Sequence, residues 1–135
     1  MRTLRRAARR GAAALEFALS AGVLLVLLFA ILDWSWFLFQ YMTLTVATQR
    51  GTRIAAGIVT EEDPAGQAEA ATLAWIAEYG LDPASVDVQA SSTEGPTGPE
   101  VTVLATLDFQ PLVGLAPSPE LVRAGSAGVW YGWVY

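Results

Sequence analysis

The sequence contains no cysteine, no histidine and no lysine. Thiol nucleophiles, imidazole bases, Schiff-base lysines and the usual zinc ligands are therefore absent together. An enzyme built from Ser, Thr, Asp and Glu alone has few workable combinations of nucleophile and base. No catalytic residue, cofactor site or metal site is expected. Without a disulfide, any domain outside the cytoplasm must be held by packing. Charge is missing too, because no charged residue lies between Phe17 and Leu32. The 135 residues leave room for one small domain and one membrane segment, not for two large domains.

The charge that is present is unevenly placed. Arg2, Arg5, Arg6, Arg9 and Arg10 make up five of the eight basic residues, and only Arg50, Arg53 and Arg123 lie beyond them, against a net charge of -5. Removal of the first segment leaves a strongly acidic remainder, which repels phosphate backbones, so no nucleic-acid partner is expected. Residues 1–11 form a short basic leader ahead of an apolar run, the outline of an export signal. No small-x-small site closes that run, since Asp33 leads into Trp34, Ser35, Trp36 and Phe37. The helix is therefore expected to stay in the protein.

From Ala12 to Val59 there is no proline, and this stretch is read as one long helix. Its membrane part, residues 17–42, would be roughly 39 Å long, enough to cross a bilayer core of about 30 Å with some tilt. The arginines place the N-terminus inside and the remainder outside the cytoplasmic membrane. Trp34, Trp36 and Tyr41 serve either an outer aromatic belt or packing between helices. Asp33 pairs with a cation on a neighbouring helix or reaches the outer interface of a tilted one. Arg50 and Arg53, one turn apart, dock a partner subunit or lipid phosphate, or form a solvated face.

Residues 60–135 are expected to form a small extracytoplasmic α+β domain, a second helix followed by an antiparallel sheet of about three strands. Asp63 and Pro64 supply the cap and first position of that helix, and Gly80, Leu81 and Pro83 its stop. Val101, Val103, Ala105, Leu107 and Phe109 alternate with polar residues as a half-buried strand, broken by Leu104 on the outer face. A strand over 85–90 precedes it and another over 123–131 follows. The stretch 91–100, with Gly95, Pro96, Gly98 and Pro99, is read as turn and coil, and 110–120 as a surface loop.

Gly11, Ala12 and Glu16 carry the most specific pattern: a basic stretch ending in Gly, four small or apolar residues, Glu, then a long apolar helix. It resembles the cleavage site of type IV prepilins. The resemblance implies that a prepilin peptidase cuts after Gly11, leaving Ala12 as the N-terminus and Glu16 as the fifth mature residue. A carboxylate at the head of a membrane helix either sits among headgroups near the arginines or has a dedicated partner. In a filament that partner would be the Ala12 amine of an adjacent subunit, and Glu16 would set the assembly register. More closely, "RRGAAALEFAL" at Arg9 to Leu19, "LLFAILDW" at Leu27 to Trp34 and "ATQRGTRIAAG" at Ala47 to Gly57 resemble the TadE and TadF group of tight-adherence (Tad) pilus minor pseudopilins. One departure is Trp34, Ser35 and Trp36, where family members often place Gly and Arg. The resemblance implies a minor pilin or pseudopilin that assembles with the major pilin, other minor pilins, the membrane assembly platform and membrane lipid. The alternative is an uncleaved single-pass anchor presenting a small binding domain outside.

Overall fold

Alanine, leucine and arginine fill the N-terminal half, and all three favour helix. The first proline is Pro64. In the computed structural model, which describes residues 2–57, 63–95, 98–115 and 117–129, that half forms one helix, α1 (Arg2–Gly57) of 56 residues, about 84 Å long. It begins ten residues before the expected start at Ala12, because the leader's own alanines and arginines continue the helix. The expected end at Val59 lies outside the described residues.

Lengthwise, α1 has two regimes. From Ala13 to Leu28 its side chains are exposed or nearly so all round, whereas from Asp33 onward one stripe is covered. Asp33, Gln40, Leu44, Ala47, Gly51 and Ala55 are buried, at steps of three, four or seven that hold one helix face. Threonines on this face need no outside partner. Thr43 donates to the Phe39 carbonyl at 2.9 Å and Thr52 to the Thr48 carbonyl at 2.8 Å, the back-bonding that lets a hydroxyl sit in a helix interior.

The second helix, α2 (Pro64–Glu78), starts where Asp63 accepts the Gly66 N–H at 2.9 Å and Pro64 fills the first position. Two bonds close it. The Gly80 N–H donates to Ala77 and the Leu81 N–H to Ile76, with Gly80 at φ 80 and Leu81 buried. This is the Schellman arrangement, in which a left-handed glycine lets the chain leave the helix. A short 3₁₀ turn, Pro83–Ser85, leads into the sheet.

Three antiparallel strands follow in the order β1-β2-β3: β1 (Val86–Gly95), β2 (Gly98–Asp108) and β3 (Leu121–Val129). The predicted alternation on β2 holds: Val101, Val103, Ala105 and Leu107 are buried, Leu104 lies on the outer face, and buried Phe109 continues the row just beyond the strand. β1 is longer than expected. Ser91, Ser92 and Thr93, read from sequence as coil, pair with Thr102, Val101 and Glu100. Residues 91–94 are all exposed, so they lack the alternation that marks a half-buried strand, and the ladder bonds alone hold them. β3 begins two residues before the expected position, and residues 130–131 lie outside the described ones.

Both helices cover one face of the sheet, giving a two-layer α+β unit. Leu44 of α1, Ile76 of α2 and Val101, Val103 and Val122 of the sheet are fully buried between the layers. Trp36 and Phe37 seal one end, where Phe37 meets Phe109 edge-on with centroids 5.4 Å apart. At the other end the Thr52 hydroxyl lies 3.5 Å from the Ser126 carbonyl. The helix segment between Phe37 and Thr52, about 22 Å, and the strand between Phe109 and Val101, about 27 Å, are similar in length. The sheet therefore runs alongside the second regime of α1 and leaves the first regime bare.

Candidate functional site

The predicted processing site lies on the bare regime of α1. Gly11 is exposed, and a Cβ built there meets nothing within 4 Å. Packing within the chain therefore does not require a glycine at this position. Glu16 is exposed one turn beyond Ala12. After it comes the apolar run, part of a helix that is long and apolar enough to cross a membrane and that the other described residues leave uncovered there. One such helix near the N-terminus fits a single-pass anchor.

Asp33 ends the bare run, and its partners lie within the chain. One carboxylate oxygen accepts the Val113 N–H at 2.8 Å and the other the Gly114 N–H at 3.0 Å, from residues 80 and 81 positions away. Gly114 has φ 72, a left-handed conformation that glycine adopts without penalty. Two successive backbone amides thus converge on one carboxyl group, in the manner of a nest. Asp33 is 0% exposed, so these two donors stand where water would otherwise be. Sequence reasoning missed Val113 and Gly114, since nothing in their spacing ties them to an acid so far away.

The two arginines differ. Arg50 lies over the Trp75 ring of α2 at 3.6 Å from the centroid, a cation–π contact that joins the helices. Arg53 is exposed and flanks a shallow groove with Gln49, Ser126 and Gly128. Gly51 was not singled out from sequence, yet it marks a close approach of α1 and α2. A Cβ there would lie 2.1 Å from Thr72 Oγ1 and 2.6 Å from the Ala68 carbonyl oxygen. Of the aromatics read as either belt or packing, Trp36 packs against the core, whereas Trp34 and Tyr41 are 46% and 43% exposed.

Neither curated proteins nor solved structures give a match to the chain. A family model described as "TadE-like protein" matches residues 11–53. The match opens on Gly11, takes in Glu16, Asp33, Arg50 and Arg53, and stops before α2. It covers the bare run and most of the helix face on which the sheet is built. Over residues 11–53, then, the chain is similar to the TadE-like family.

Proposed function

We propose that this protein is a minor pilin or pseudopilin, a non-catalytic structural and assembly component of a Tad-type pilus. The prepilin peptidase cuts after Gly11, and Ala12 to Leu32 hold the mature chain in the cytoplasmic membrane with its folded part outside. Twenty residues, Ala13 to Leu32, rise about 30 Å, the thickness of a bilayer core. This span is shorter than the 17–42 read from hydropathy, because from Asp33 onward one face of the helix is covered by the sheet. From the membrane the subunit joins the major pilin and other minor pilins through the assembly platform.

The observation that carries this reading is that the family match opens on Gly11 and includes Glu16, ahead of a helix left bare by its own domain. The open space around Gly11 supports it, since a small residue without a packing reason suits a protease subsite. The test is the mature N-terminus. Membrane-extracted protein from cells with the peptidase should begin at Ala12, and Gly11→Leu should accumulate at precursor mass. An intact Met1 in the wild type, or normal trimming of Gly11→Leu, would sink the proposal in favour of an uncleaved anchor.

A further inference from the structure

We infer that the loop from Gln110 to Leu115 is a second membrane contact, which seats the folded part on the outer face of the bilayer beside its own helix. The inference rests on the membrane-inserted reading above. No charged residue lies between Asp108 and Glu120. The loop's neck is closed by the Phe109 N–H donating to the Glu120 carbonyl at 2.8 Å, and its tip is held on Asp33 through Val113 and Gly114. Held in this way, the loop turns its apolar side chains outward: Leu112 is 62% exposed, Val113 41% and Leu115 59%. A soluble surface rarely leaves three such residues together without a partner.

Lipid is the occupant the geometry favours. Asp33 ends the run of about 30 Å that matches a bilayer core, so the loop fixed to it stands at the level where the helix leaves the hydrocarbon. On α1, Ile31, Leu32 and Trp34, the neighbours of Asp33 in sequence, are exposed and apolar too. Side chains on a helix lean toward its N-terminus, which tilts the Asp33 carboxylate, and the loop with it, toward the membrane. The hairpin joining β1 and β2 lies at the opposite end of the sheet, near Thr52.

The absence of native cysteine gives a direct test. Full-length Leu112→Cys, Leu115→Cys, Val26→Cys and Ser92→Cys variants are spin-labelled and reconstituted at low protein density into vesicles of phosphatidylethanolamine and phosphatidylglycerol. Labels at 112, 115 and 26 should be reached by oxygen and shielded from a water-soluble nickel chelate, and the label at 92 should show the reverse. Nickel access at 112 and 115 with shielding at 26 overturns the loop contact and leaves the anchor standing. Nickel access at 26 as well removes the membrane reading itself. Shielding at 112 and 115 only at high protein density assigns the patch to a second copy of the chain and overturns the lipid assignment. Asp33→Asn, which replaces one acceptor oxygen with a donor, should raise nickel access at 115 and not at 26. An unchanged 115 signal would overturn the role of Asp33 in holding the loop.

Discussion

Gly51→Ala sets two opposed effects against each other at the crossing of α1 and α2. In an open helix the change adds stability, because alanine is favoured over glycine by about 1 kcal/mol. Here the new methyl would stand 2.1 Å from Thr72 Oγ1 and 2.6 Å from the Ala68 carbonyl oxygen. Rotation of Thr72 relieves only the first contact, and it sacrifices the 2.7 Å bond from its hydroxyl to Ala68. The second contact is with backbone, so the helices must part. Overpacking of this kind costs about 1 to 3 kcal/mol and more where backbone has to shift. Since the backbone contact puts Gly51 at the upper end of that range, the net change should be a loss of about 1 to 2 kcal/mol. Thermal unfolding of the full chain in detergent, followed by near-ultraviolet circular dichroism, should show the midpoint falling by about 4 to 8 °C per kcal/mol for a domain of roughly 100 residues. Adding Thr72→Ala should restore little, because the Ala68 carbonyl remains. If Gly51→Ala unfolds at or above the wild-type temperature, helix propensity has won and the close crossing described here is wrong.

Gly80→Ala forces a side chain into the left-handed region at φ 80 and should lower stability by about 1 to 2 kcal/mol, with Gly80→Asn milder; equal midpoints for the two variants would contradict the C-cap. Glu16→Gln should leave insertion and cleavage intact and abolish co-purification with pilins, as measured by mass and pull-down from one strain. Normal piliation with that variant would reduce Glu16 to an interfacial carboxylate.

What the sequence disclosed about the fold was local. Asp63 with Pro64, Gly80 with Leu81, and the alternation from Val101 to Phe109 each place their physical cause within a few residues of its effect. Features that depend on distant pairing stayed hidden. Ser91 to Glu94 gave no alternation because both faces of that ribbon are exposed, and the glycines and prolines around its turn read as coil. Hydropathy over residues 33–42 looks the same whether lipid or a sheet covers the helix, so it did not disclose the stripe that the sheet covers. At the candidate site, Gly11 and Glu16 were proposed on sequence because their spacing is the signal. The donors to Asp33 were not, since a buried carboxylate announces a need for partners and says nothing of where they lie.

The threonine-lined face of α1 also bears on how the subunit carries load. Its hydroxyls bond back to their own helix, and the contact from Thr52 to Ser126, at 3.5 Å, is a weak directional tie to the sheet. Grip between helix and sheet is therefore spread along Leu44, Ala47, Gly51 and Ala55 as plain packing, with Asp33 as the fastener at the end nearest the bare run. A pull along the helix axis acts on all of these contacts in parallel, as shear, and cannot peel them one after another. Resistance to such a pull is set by the barrier for losing them together, which governs forced unfolding. On the proposed role, a subunit tugged from outside should thus keep its helix on its sheet until these contacts fail together.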